Sequence, residues 1–184
     1  MSGTFHTRRR FGALCLGAAA LAATPSLAAP QLLRRISALE AVDWRDHFTT
    51  LANDAILCDL TNRVMHYWGE DGFYRIYPTA VPMSDEFARR GRTQIVLKRA
   101  RPEWAPTPNM LARNPALPRY VGPGPDNPLG VRALNLSWQY YVIHGTNDIR
   151  KIGRQSSNGC IGLFNEQIIE VFDRARVGTP VLLI

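Results

Sequence analysis

Tyr141-Val142-Ile143-His144-Gly145-Thr146, followed by Ile152-Gly153 and by Ser156-Ser157-Asn158-Gly159-Cys160-Ile161, is the stretch on which the reading of this chain turns. An apolar run ends at His144, so the sequence predicts a strand that delivers an imidazole to the loop beyond it. Gly159 precedes Cys160, and a glycine there allows unusual φ/ψ and close backbone approach. A thiol and an imidazole are the minimal parts for nucleophilic acyl transfer: the base takes the thiol proton and the thiolate attacks a carbonyl. Backbone N–H groups near Cys160 are candidates for an oxyanion hole. By themselves, one cysteine and one histidine describe a buried thiol and a structural imidazole just as well.

Outward from this stretch, short runs rich in β-branched and aromatic residues read as strands: 55–60, 63–68, 73–81, 93–99, 133–138 and 140–144. Gly69-Glu70-Asp71-Gly72 is a hairpin signal. Asn165 is placed to cap a helix whose apolar stripe runs Ile168, Ile169, Val171, Phe172, Ala175; Gly178 stops it, and residues 180–184 form a last strand. The expected fold is mainly β with one C-terminal helix. Residues 29–52 read as an N-terminal helix or arm. Eight of the 13 prolines fall within 101–130, so that segment cannot be a central strand. It is either a lid or groove wall, with Trp104, Met110, Arg113, Arg119 and Tyr120 toward a ligand, or a rigid surface excursion.

The chain has 184 residues, enough for one domain and a short appendage. Its hydrophobic content of 46% supports a core, and its net charge of +7 comes without Lys/Arg runs, which argues against a nucleic-acid tail. Residues 1–28 read as an export signal: Arg8-Arg9-Arg10, an uncharged Phe11–Ala23 region too short to span a bilayer, then Ser26-Leu27-Ala28 as a cleavage site. Thr7 to Phe11 also fits a twin-arginine pattern. Cleavage would remove three arginines and no acid, leaving a net of +4, and would leave Cys58 and Cys160 as the cysteines. Cys58 lies in a buried-strand pattern and Cys160 among small polar residues, so the pair is read as two free thiols in different surroundings rather than a disulfide. His47 and His66 are isolated, with His66 expected at a surface or edge; no metal cluster, cofactor loop or transmembrane segment of the mature chain is expected.

The combined string His144-Gly145-Thr146, Ile152-Gly153, Ser157-Asn158-Gly159-Cys160-Ile161 resembles the signature of the L,D-transpeptidase family, the YkuD-type catalytic domain. Ile56–Tyr67, Pro123–Gly130 with Ala133-Leu134, and Val177–Val181 extend the likeness, so that it covers residues 53–184. The resemblance implies a β-sandwich-like catalytic domain in the periplasm whose partners are peptidoglycan stem peptides, donor and acceptor. It implies Cys160 as nucleophile, His144 as base and the Gly145 carbonyl as orienter of the imidazole. Gly159 and Cys160 N–H groups would hold the oxyanion, with Ser157 and Thr146 supporting the loop. The usual reaction of such enzymes links diaminopimelate to diaminopimelate.

Two positions depart from that signature. Asn158 stands where many members have His, and Gly162 stands where Arg is usual. A guanidinium is a bidentate donor to carboxylates, and glycine has no side chain. Three further outcomes therefore stay open: L-Ala-to-diaminopimelate linkage from a rebuilt donor pocket, L,D-carboxypeptidase action, and a non-catalytic wall-binding module. If the anionic contact has moved, Arg154 and Arg150 are the first candidates because they lie between His144 and Cys160, with Arg89, Arg90, Arg92, Arg113 and Arg119 behind them.

Overall fold

The structure is a computed structural model describing residues 40–184. The export signal assigned to 1–28, and the start of the 29–52 arm, lie outside the described residues. The strands are β1 (Ala55–Asp59), β2 (Val64–Trp68), β3 (Tyr74–Pro78), β4 (Val81–Pro82), β5 (Gly91–Arg99), β6 (Ala133–Leu136), β7 (Val142–His144), β8 (Gln155–Ser157), β9 (Ile161–Gly162) and β10 (Pro180–Leu183). Two helices, α1 (Pro108–Arg113) and α2 (Asn165–Arg174), accompany them. The fold is thus mainly β, as expected, with α2 as its one substantial helix. Among the described residues no helix is long and apolar enough to cross a membrane.

Eight strands form a single mixed sheet in the order β3-β2-β1-β10-β5-β6-β7-β9, and β4 pairs with β8. The sandwich is made by that sheet curling over itself. Its core joins Ile56, Met65, Tyr67 and Tyr77 from one half to Ile95, Leu134, Ile143 and Ile161 from the other. The chain just past the outer strand β3 meets the other outer strand, β9, at a seam: Ala80 N–H donates to Gly162 O at 2.8 Å, and Gly162 N–H donates to Ala80 O at 3.0 Å. Curling buries both halves and satisfies backbone groups that an open edge would leave unpaired. The close approach also explains the glycine. A Cβ at 162 would lie 3.1 Å from the Ala80 Cβ.

α2 and its C-cap fill the mouth of the curl with Ile168, Val171 and Ala175, with Phe172 packed at the edge; Ile169, also in the expected stripe, faces outward and is exposed. The N-cap of α2 differs from the sequence expectation. Phe164 is the N-cap, without a side-chain cap bond, and Asn165 is already helical. Asn165 is spent instead on the loop after His144, because that loop offers both a buried donor and a buried acceptor. His66 also differs: it is 2% exposed, stacked between Trp68 and Tyr74, with its Nδ1 2.9 Å from the Tyr74 hydroxyl. The arm through Val42, Trp44 and Phe48 packs on this outer sheet face and covers it, with one short 3-10 turn at Trp44–Asp46. Cys58 is buried in β1, and Cys58 and Cys160 are free thiols among the described residues.

The seam generates a test. Gly162→Ala should destabilise the domain by about 1 kcal/mol, the low end for an overpacked contact, and Ala80→Gly in the same chain should recover most of that loss. Urea denaturation of the four proteins of this cycle measures the coupling. Effects that simply add, to within about 0.5 kcal/mol, would show that the two positions do not press on one another.

Candidate active site

Strand register brings the reactive residues together. Arg99 pairs with Ala133, Ala133 with His144, and His144 with Gly162, forming one row across β5, β6, β7 and β9. Leu97, Asn135 and Val142 form the next row on that face, and Cys160, one residue before the Ile143–Ile161 pair, continues it. Laterally paired residues share a face, so His144 and Cys160 point to the same side of the sheet from neighbouring strands. The intervening row, Lys98, Leu134, Ile143 and Ile161, points the other way, onto α2 and the core.

His144 is the last residue of β7. Its Nδ1 lies 2.5 Å from the Gly145 carbonyl. A carbonyl only accepts, so Nδ1 carries the proton and Nε2 keeps a free lone pair. Asn165 clamps the following residue by both ends: its Oδ1 accepts from Thr146 N–H at 3.1 Å and its Nδ2 donates to Thr146 O at 3.0 Å. The Thr146 hydroxyl accepts from Asp148 N–H at 3.0 Å and tightens the next turn. Burial is the main force on the imidazole and pushes its pKa down to about 4, against the Gly145 bond, with Lys151 and Arg99 adding to the depression.

Cys160 sits after a turn that only glycine enters easily, since Gly159 has φ +123°. Ser157 Oγ donates to Cys160 O at 2.6 Å and accepts from Gly159 N–H at 3.3 Å. In this arrangement the Gly159 N–H is turned onto Ser157, because the tight Ser157–Cys160 turn offers that hydroxyl first. Cys160 N–H remains without a partner among the described residues. The Cys160 thiol donates to Tyr140 O at 3.4 Å, and Tyr140, a non-glycine residue with φ +66°, holds its carbonyl there by a left-handed turn. Burial pushes the thiol up to about 11, partly offset by the Val142 N–H and the Arg99 charge.

The Pro-rich segment returns to this face as a strap. Trp104 and Val121 exchange backbone hydrogen bonds at its neck, which closes the excursion between them. At its tip the Arg113 guanidinium donates to Asn158 Oδ1 and stacks on Phe87. Asn158 is therefore tethered by a residue far away in sequence. Tyr120 is exposed and Trp104 is half-buried; neither makes a hydrogen bond to Cys160 or His144 among the described residues. Arg150 is engaged with Asp148 at 2.8 Å on the surface, its side chain 83% exposed. Arg154 is exposed and contributes its carbonyl to Val81 N–H. Neither arginine makes a hydrogen bond to Cys160 or His144 among the described residues, although the segment between them returns to the chain at Thr79 and Val81. Arg99, Asn135, Tyr140 and Asn165 are the neighbours sequence reading missed. Only the strand character of 93–99 hinted at Arg99.

With this geometry in view, the chain can be compared with known proteins. Residues 53–183 match the model of the YkuD family, the L,D-transpeptidase catalytic domain. The chain belongs to this family of cysteine-dependent acyltransferases. A Fuscovulum blasticum protein from an ATP synthase subunits region, named as an L,D-transpeptidase, is 49% identical over 97% of this chain and 98% of its own length. A protein of Escherichia coli strain K12 named as the L,D-transpeptidase ErfK/SrfK is 36% identical over 66% of this chain, which spans 41% of it. The fold of an L,D-transpeptidase from Stackebrandtia nassauensis superposes with a TM-score of 0.58 at 13% identity, covering 83% of this chain and 65% of that one. One from Mycobacterium smegmatis gives 0.54 at 17% identity, covering 72% and 58%.

The two shifted pKa values have opposite signs and one consequence. The imidazole is neutral above about pH 4 and the thiol is neutral below about pH 11, so the resting pair carries no charge at pH 7. Alkylation of Cys160 by iodoacetamide should therefore keep rising with pH well beyond the ordinary thiol range of about 8.5. The His144 ring should titrate near 4 by NMR. A histidine midpoint at 6 or above, together with full alkylation at neutral pH, would reveal an imidazolium–thiolate pair instead.

Proposed function

We propose that residues 53–184 act as a peptidoglycan L,D-transpeptidase in the periplasm, reached through the export signal at 1–28. The reading rests on one observation: Cys160 and His144 share a sheet face on neighbouring strands, with Nδ1 committed to Gly145 O so that Nε2 is left to take a proton. Cys160 Sγ attacks the carbonyl of an L-residue that precedes a D-residue, and its proton passes to His144 Nε2. The Cys160 N–H faces the developing oxyanion. The C–N bond then breaks, Nε2 returns the proton to the departing amine, and a thioester remains. An amine of a second stem peptide attacks the thioester, gives its proton to Nε2, and expels the thiolate, which recovers that proton.

Before substrate arrives the thiol keeps its proton and points it at Tyr140 O. Donor binding must turn it toward His144, which ties thiolate formation to the presence of a carbonyl. The favoured product is a diaminopimelate-to-diaminopimelate link. Gly162 supports a second donor, L-Ala, since the imidazole edge beside it faces no side chain from that position: a Cβ there would be 3.9 Å from His144 Cε1.

Mass spectrometry of muropeptides after incubating the mature protein with sacculi tests both. Diaminopimelate-to-diaminopimelate dimers are expected, L-Ala-linked dimers would assign the second donor, and trimmed monomers alone would mean hydrolysis. Cys160→Ala should abolish all products while the protein stays folded by circular dichroism. His144→Ala should lower turnover by about two to four powers of ten, the range for removing a positioned base. Asn158→Ala should cost far less, because its amide cannot accept a proton and is occupied by Arg113. Equal losses at positions 144 and 158 would overturn these roles.

A further inference from the structure

The row that ends at His144 and Gly162 begins at Arg99. Arg99 Nε donates to Asn135 Oδ1 at 2.9 Å, and Asn135 belongs to the adjacent row of the same face. The guanidinium therefore lies on the reactive side of the sheet. Only Ala133 stands between Arg99 and His144 in the row, so no longer side chain blocks the space between them. Adjacent strands are about 4.8 Å apart, so an extended arginine two strands away brings its fork close to the imidazole.

Arg99 forms no ion pair with a carboxylate among the described residues, as is also true of Arg63, Arg92, Arg113 and Arg132. Arg45, Arg75, Arg90, Arg150, Arg174 and Arg176 each lie within 4.0 Å of a carboxylate. Arg99 is half-buried, and its hydrogen bonds go to two neutral acceptors, Asn135 Oδ1 and Glu103 O at 2.9 Å. The Glu103 carboxylate lies near enough to act on the Arg99 charge but forms no ion pair with it. Arg99 Nη2 has no partner among the described residues, and no carboxylate there forms an ion pair with it. A partly desolvated guanidinium held by neutral groups, with one arm free, is a receptor for an anion.

We infer that Arg99 binds a carboxylate of the acyl-donor peptide, one carried within a residue of the carbonyl that Cys160 attacks. The inference rests on the transpeptidase reading for the identity of the peptide, but its geometry does not. Two sources share this chemistry: the C-terminal carboxylate of the departing D-residue and a side-chain carboxylate of the donor residue. Holding either would fix the scissile carbonyl over the thiol, and the same charge would ease formation of the thiolate.

Two alkylating agents that differ by one charge test the site without turnover. The rate ratio of iodoacetate to iodoacetamide at Cys160, read by peptide mass spectrometry at fixed pH, cancels any change in thiolate content. Arg99→Gln should lower this ratio about tenfold, as expected for loss of one charge-assisted contact. Arg99→Lys, which keeps the charge and loses the fork, should lower it by about threefold and serves if the Gln variant does not fold. Arg150→Gln, removing a surface partner of Asp148, should leave it unchanged. A ratio that stays within twofold in both Arg99 variants overturns the proposal. A stem tetrapeptide with its C-terminus amidated, and another with its side-chain carboxylate amidated, then separate the sources. The amide of the recognised group should lose about tenfold in kcat/KM with the wild type and nothing further with Arg99→Gln. Equal losses in both proteins for both amides overturn the assignment to the donor peptide. A ratio that falls as expected in a protein that turns over no peptide would sink the transpeptidase reading and leave the anion site standing.

Discussion

Two hydrogen bonds between Ala80 and Gly162 close the sheet, and the site depends on that closure. Without it β9 would be an open edge two residues long, too short to hold its register. With it, β9 is fastened on one side to β7 and on the other to the chain after β3, and β8 is held by β4. The loop carrying Cys160 therefore hangs between two anchored segments. The tightness of the seam also accounts for a residue without a side chain at 162, where an added Cβ would meet Ala80. A position that looks from the sequence like a lost substrate contact is thus also a packing constraint.

The reactive face is built from backbone obligations rather than from a cluster of charged side chains. Gly145 O sets the imidazole tautomer, Ser157 shapes the nucleophile turn, Tyr140 O holds the thiol, and Asn165 fastens the loop from the start of α2. Burial keeps the thiol and the imidazole neutral at pH 7, so their charge separation belongs to the reaction and not to the resting protein. A neutral thiol is also less exposed to oxidation than a permanent thiolate.

Much of the fold was legible because apolar and β-branched runs must pair and bury. Residues 55–59, 64–68, 74–78 and 180–183 are strands where such runs occur, and the Ile168–Ala175 stripe lies on the core face of a helix. The misreadings share a cause. Asn165 matches a helix cap by type and position, yet a loop 19 residues earlier uses its amide. His66 reads as an edge residue until the arm through Trp44 and Phe48 covers that face. Arg150 and Arg154 are near Cys160 along the chain but are exposed, with Arg150 held by Asp148, whereas Arg99, 61 residues before Cys160, shares its sheet face. Local pattern reports what a residue can do; long-range pairing selects which of its options is used.

The sequence by itself determined the reactive chemistry and the element types. The candidate thiol, the imidazole and the glycine turn lie in one local stretch, and hydrophobic periodicity is a property of consecutive residues. Tertiary structure alone decided which groups surround that chemistry. Strand order, the register that lines up Arg99, Ala133, His144 and Gly162, the seam at Ala80 and the reach of Arg113 to Asn158 are all set by contacts between residues distant along the chain. The physical reason is that a sheet brings together residues from different strands according to hydrogen-bond register. A shift of one residue in any pairing would turn the same side chains to the opposite face.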